Sequence, residues 1–160
     1  MRASGALAAL LALSTTACSG ILDIPDVREL GGLETIFSKG IGSAQDDDLL
    51  GVSVDRDGNF YVALQYRAQL DFGDVKAGVT GAYDLTIAHI GLDGATRWVK
   101  AFGVTAGGMV TSFATPLVTT SGAVFVGGHI SGTAQLGSSQ IKAGLFVAKL
   151  GASGEVIWAT

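Results

Sequence analysis

The sequence predicts an all-β chain built from a repeated four-stranded antiparallel unit, and three observations carry that prediction. The first is composition. Charged residues make up only 15% of the chain and 24 of its 160 residues are Gly, where ordinary domains carry about 25% charge. The second is self-similarity. Residues 85–98, LTIAHIGLDGATRW, match residues 145–158, LFVAKLGASGEVIW, in register at an offset of 60. The third is turn chemistry. Asp57-Gly58, Asp93-Gly94, Ser121-Gly122 and Ser153-Gly154 each separate two β-prone runs, and such pairs signal hairpins because their central positions favour positive φ.

The elements follow in chain order. Residues 1–17 join one base, Arg2, to a short apolar core and small residues before Cys18, the layout of an export signal. The apolar run from Ala6 to Leu13 is too short for a membrane span, which needs roughly 20 residues. The box Thr15-Thr16-Ala17-Cys18 resembles the lipoprotein class of signal, although Thr15 stands where that class usually has Leu. That resemblance implies cleavage before Cys18, lipidation of Cys18 and anchoring to a membrane. Ser19, rather than Asp, follows the cysteine, which in such proteins implies the outer membrane if the source is Gram-negative. Residues 18–33 are then the lipidated cysteine and a tether, broken by Pro25 and Gly31-Gly32.

Removing the leader takes away one Arg and leaves nine bases against fourteen acids in 143 residues. This mild acidity predicts no nucleic-acid surface, which would need clustered Lys and Arg. Cys18 is the single cysteine, so the exported domain must hold together by burial without internal disulfides.

Residues 34–103 hold an N-terminal strand and the first repeat, and residues 104–160 hold the second. The expected strands are 49–55, 59–66, 85–91 and 96–102, then 114–119, 123–130, 144–150 and 155–160. The first-hairpin turns lie 64 residues apart and the second-hairpin turns 60 apart, because the connection over residues 70–82 is shortened to 136–143 in the second copy. An insertion between matching strands predicts a surface loop. A third, partial copy precedes both: Ile36-Phe37-Ser38-Lys39-Gly40-Ile41-Gly42 answers Arg97-Trp98-Val99-Lys100-Ala101-Phe102-Gly103. A four-stranded unit of about 60 residues ending in an aromatic strand has the grammar of a propeller blade. The prediction is therefore an incomplete propeller of about two blades plus one extra strand.

The run Asp57-Gly58-Asn59, Tyr61-Val62, Leu70-Asp71-Phe72-Gly73, Asp93-Gly94, Trp98 and Phe102-Gly103 resembles the bacterial β-propeller repeat family called SBBP. The likeness covers about residues 34–160; the second copy lacks the Asp-Phe pair and the acidic turns. It implies a secreted or surface-exposed propeller, in a family whose members mostly have no assigned activity. Propellers close with four to eight blades, so the expectation is the first part of a longer repeat protein. The alternatives are an open two-blade stack and an assembly of several chains. Bare strand edges would favour self-association.

Candidate chemistry is sparse. Asp55-Arg56-Asp57-Gly58-Asn59 has alternating oxygen donors, but its Gly is fourth and its twelfth position is Tyr66, unlike a calcium loop. Asp46, Asp47 and Asp48 are the densest charge cluster, expected in a solvated link, with a weak cation site shared with Asp71 or Asp74 as the alternative. His89 is answered by Lys149 and His129 by Gln65, which predicts positions facing solvent or a polar groove. Two histidines on different repeats make no zinc triad, and neither a G-x-S-x-G elbow nor a G-x-G-x-x-G turn in context is present. No cofactor is expected. Trp98, Trp158, Phe37, Phe60, Tyr61, Phe125 and Phe146 can be read as a carbohydrate-stacking set, but most recur at matching strand positions, which predicts packing between repeats instead. Tyr66, Phe72 and Tyr83 do not recur and are the candidate recognition surface. The sequence thus predicts an envelope lipoprotein with a non-enzymatic binding or scaffolding role toward a protein or glycan. The alternative is the non-catalytic N-terminal part of a larger envelope hydrolase or adhesin.

Overall fold

The computed structural model describes residues 37–78, 83–105 and 108–160. Cys18, the leader and the tether lie outside the described residues. Among them there is no helix. The first repeat contributes β1 (Asp47–Val54), β2 (Phe60–Tyr66), β3 (Leu70–Asp71), β4 (Lys76–Ala77), β5 (Tyr83–Ile90) and β6 (Thr96–Thr105). The second contributes β7 (Val110–Val118), β8 (Val124–Ile130), β9 (Thr133–Leu136), β10 (Ser139–Ile141), β11 (Gly144–Leu150) and β12 (Val156–Ala159).

The eight expected strands are all present, and every ladder is antiparallel. β1-β2-β5-β6 form one large sheet, β7-β8-β11-β12 the other, and β3-β4 a separate two-stranded one. The first sheet grows by two strands borrowed from the second repeat, because β9 pairs with β6 through Val104–Ala134 and Thr105–Thr133. Neither sheet closes on itself. β1 begins at Asp47, so two of the three clustered acids belong to a strand and not to the link expected to hold them.

All four long hairpins turn in the same way. Gly58 N–H donates to Asp55 O, and Asp55 N–H to Asn59 O. The same pair of bonds closes Gly91–Ala95, Thr119–Ala123 and Gly151–Glu155. The glycines at 58, 94, 122 and 154 have φ between 78° and 82°. These are three-residue loops with Gly at the left-handed third position, where a side chain costs about 1–2 kcal/mol. The expected two-residue turns are therefore corrected by one residue: the closing bond forms at Gly itself.

Side chains alternate between the faces of a strand; the face by which the first sheet meets the second repeat, and the equivalent face of the second sheet, are called forward here, and the opposite faces rear. The forward face of the first sheet carries Tyr61, Ala63, Leu85, Ile87 and Phe102; the second sheet meets it with Val124, Val126, Phe146, Ala148 and Leu150, forming the main core. At the inner strands the backbones nearly touch, since a Cβ on Gly51 would lie 3.0 Å from Thr115 Cα. The rear face of the first sheet, with Val62, Leu64, Tyr66, Ala88 and Ile90, is covered by Leu70, Phe72 and Ala77, with Phe37, Ile41 and Val75 packed against them.

That cover corrects two expectations. The connection after β2 is no plain surface loop: residues 70–77 form the β3–β4 hairpin, and β9–β10 is its counterpart in the second repeat. Gly73 and Gly137, 64 apart, both turn with positive φ. In the N-terminal segment, expected as a strand, the backbone pairing among the described residues is the isolated bridge Gly42–Asp71. Its place matches that of β6 in the next repeat: Phe37 lies against the Gly94 turn as Trp98 lies against the Gly154 turn.

Candidate functional site: the open forward face of the second repeat

The residues singled out for recognition do not form a surface. Tyr66 and Phe72 are fully buried, which corrects their assignment. Tyr66 faces the rear core and donates its hydroxyl to Gly78 O at 2.7 Å; burial, with Asp84 nearby, pushes its phenol well above the usual range. Phe72 sits under the same sheet as part of the hairpin cover. Tyr83 is half-buried at the start of β5, with the Arg67 guanidinium 3.9 Å above its ring.

The acids are scattered. Asp46 is exposed and reaches Arg67 only at 4.0 Å. Asp47 accepts the Ser43 N–H at 2.6 Å, while Asp48 pairs across from Gln65 on the opposite side of the pleat. Asp71 is engaged by Gly73 N–H and Lys76. Asp74 accepts from Lys39 Nζ at 2.8 Å and from Thr96 Oγ1 and N–H, bonds that hold its carboxyl far below the ordinary range. Among the described residues no group of three or more His, Cys, Asp or Glu is placed to hold a metal ion.

Asp55 serves its turn. Its Oδ1 accepts the N–H groups of Asp57 and Asn59, and Oδ2 accepts Asn59 Nδ2. Burial pushes this carboxyl up, and the bonds from Asn59 and Asp57 outweigh that and hold it low. Thr119 Oγ1 takes over part of this role in the second repeat by accepting the Ala123 N–H.

His89, expected to face solvent or a polar groove, is half-buried among aromatic rings. It stacks on Tyr61 at 4.4 Å and lies edge-on to Trp98, and both ring nitrogens are shielded without a hydrogen-bond partner. Burial lowers its pKa, the Arg97 charge adds to this, and Asp55 opposes it. His129 is half-buried and bonded to Thr111 Oγ1 at 2.7 Å.

The aromatic residues show the repeat most plainly. Tyr61 and Trp98 meet at 6.1 Å and 64°, and their counterparts Phe125 and Trp158 at 6.2 Å and 62°. Yet the two pairs have different surroundings. The Trp98 ring covers Gly154 and donates Nε1–H to Ala152 O at 2.8 Å. Trp158 remains substantially exposed.

The same contrast extends over the whole forward face. Leu85 and Ile87 are buried against the second repeat, whereas Leu145 and Val147, in the same positions of β11, are 82% and 45% exposed. Leu117 on β7 adds to the open area. Ser112, Ala114, Gly127, Leu145 and Val147 line a shallow groove on this face, and Lys149 stands beside the Phe125 ring. The groove is mostly apolar, and His129 pairs across from its Ser112 on the same face. Sequence reasoning missed it, although one signal existed: β11 is apolar on both faces through Leu145-Phe146-Val147-Ala148, as a strand covered on both sides would be. No protein-family model, curated protein or solved structure matches this chain.

Proposed function

We propose that this chain is an envelope lipoprotein, held by a lipid on Cys18, that displays two blades of a β-propeller-type repeat for non-enzymatic binding or scaffolding. The observation that carries the reading is the contiguous apolar forward face of the second sheet. Single exposed apolar residues are ordinary, but Leu117, Leu145, Val147 and Trp158 lie together on one sheet face. Patches of that kind mark interaction sites. The blade-like order of each sheet and the repetition of its turns and aromatic pairs support the propeller-type architecture.

The anchor and the surface are tested together. Fractionation of cells expressing Cys18→Ala should move the protein out of the membrane fraction, and full retention in the membrane would refute lipid anchoring. Leu145→Glu, at an exposed position, should leave anchoring and thermal stability intact while removing binding through the face.

A further inference from the structure

We infer that the open forward face is the docking site for the first repeat of a second copy of this chain, joined head to tail. The inference rests on the display reading and adds the identity of one partner. Its basis is that the molecule already contains the interface in question, between its own two repeats.

Moving along the chain by one repeat maps each half of that interface onto a surface left open at one end. At the leading end, Leu85 and Ile87 become Leu145 and Val147, and Trp98 becomes Trp158. At the trailing end, the residues of β7 that pack toward the first repeat, Phe113 and Val118, correspond at the offset of 64 to Leu49 and Val54 of β1. Leu49 and Val54 are 63% and 55% exposed and lie on the rear side, opposite Leu64 and Phe60. Part of each half of the internal contact is thus matched by an open apolar surface, Leu145 and Val147 at one end and Leu49 and Val54 at the other, while Val110 and Phe146 of the internal contact are answered by Asp46 and Thr86.

Gln65 Oε1 accepts the buried Val110 N–H at 2.7 Å across the internal interface. One repeat on, these positions are His129 and Asp46, so docking would set the half-buried His129 near the acidic stretch Asp46-Asp47-Asp48 of the second copy.

The contact uses β7, β8 and β11. The turn at Gly94, which would receive Trp158, is already covered by Phe37 of the copy that carries it, so β12 stays at the rim. Such an interface is heterologous: it closes a ring or continues as a filament.

The test is the oligomeric state of the full-length protein, measured by sedimentation in mild detergent at up to ~100 μM, where a complex with a Kd of about 10 μM is mostly assembled. Wild-type protein should assemble. Leu145→Glu and Leu49→Glu, one at each end and both at exposed positions, should each be monomeric with unchanged thermal melts. Mixed in equal amounts they should form a dimer and stop there, since one intact surface of each kind remains. A monomeric wild type, assembly of either variant alone, or failure of the mixture to pair would overturn the proposal. A wild type that is monomeric yet released from membranes by Cys18→Ala would leave the display reading standing.

Discussion

Replacing Gly154 by Ala separates two costs that the repeat architecture joins at one residue. The first is backbone strain: Gly154 has φ +81°, and a Cβ in that region costs about 1–2 kcal/mol. The second is steric. The new Cβ would lie 2.8 Å from Trp98 Cδ2 and Cε3, and a rigid indole yields only by moving as a whole. That movement breaks the Trp98–Ala152 hydrogen bond of 2.8 Å, worth about 0.5–1.5 kcal/mol. It also disturbs the edge-on contact with Tyr61, worth roughly another 0.5–1.5 kcal/mol. The expected total is about 2–5 kcal/mol. Gly73 is the control, because its φ is +87° and nothing lies within 4 Å of its would-be Cβ. Gly73→Ala should cost the strain alone, about 1–2 kcal/mol. Urea unfolding followed by Trp fluorescence would read the difference of about 1–3 kcal/mol, which at an m-value of about 2 kcal/mol/M moves the midpoint by roughly 0.5–1.5 M. On a Trp98→Ala background the excess cost of Gly154→Ala should vanish, as a double-mutant cycle requires of two groups in contact. Equal losses at Gly154 and Gly73, or an excess that persists without Trp98, would refute the aromatic-on-glycine contact as the joint between repeats.

Phe72→Ala should destabilise the protein by about 3–5 kcal/mol in the same assay, the cost of emptying a fully buried aromatic site, while Tyr83→Ala stays within about 1 kcal/mol. His89 titrates less readily folded than unfolded, because burial first and the Arg97 charge second lower its pKa. Below its unfolded value of about 6.5 the unfolded chain binds more protons, so stability falls as pH drops from 7 toward the folded pKa. Chemical unfolding at pH 7 and pH 5 should therefore show a smaller loss for His89→Gln than for wild type. Asp74→Asn should loosen residues 37–42 by weakening the bonds to Lys39 and Thr96. Hydrogen exchange would report it as faster exchange at the bridge amides of Gly42 and Asp71, with the ladders of β2 and β5 unchanged.

The strands and their pairing were legible because period-two patterning and turn glycines act locally. Val-Ala-Leu-Gln-Tyr after Asp57-Gly58-Asn59 can fold back in few ways, and β2 pairs with β1 over the expected length. Three features were hidden because they depend on longer-range packing. Residues 70–77 have too few residues per strand to give a pattern, yet Leu70 and Phe72 are apolar at alternate positions and both are buried. Lack of recurrence made Tyr66 and Phe72 look functional, whereas the first repeat needs larger side chains there to cover its rear face. Phe72 is matched by Leu136, which is buried in the equivalent hairpin. His89 was judged by what replaces it in the other repeat, but position 149 lies on the open face and position 89 beside the shielded Tyr61–Trp98 pair. The same strand position has two environments, and sequence comparison within the chain averages them.

That difference in environment is also the physical argument for the open face. In β5 the residues on one side, Leu85 and Ile87, are buried by the second repeat, and those on the other, Thr86 and Ala88, by the rear cover. β11 has the same two-sided character, with Phe146 and Ala148 buried behind and Leu145 and Val147 bare in front. A strand meant to border water would alternate apolar with polar residues, as the end of a repeat array does when it is capped. Here the last sheet carries no polar cap along β11 until Lys149. Covering side chains of this size is worth about 1.5–3 kcal/mol each when burial is complete. Covering Leu145, Val147 and Leu117 would therefore favour association, against the several kcal/mol that joining two molecules costs in lost freedom.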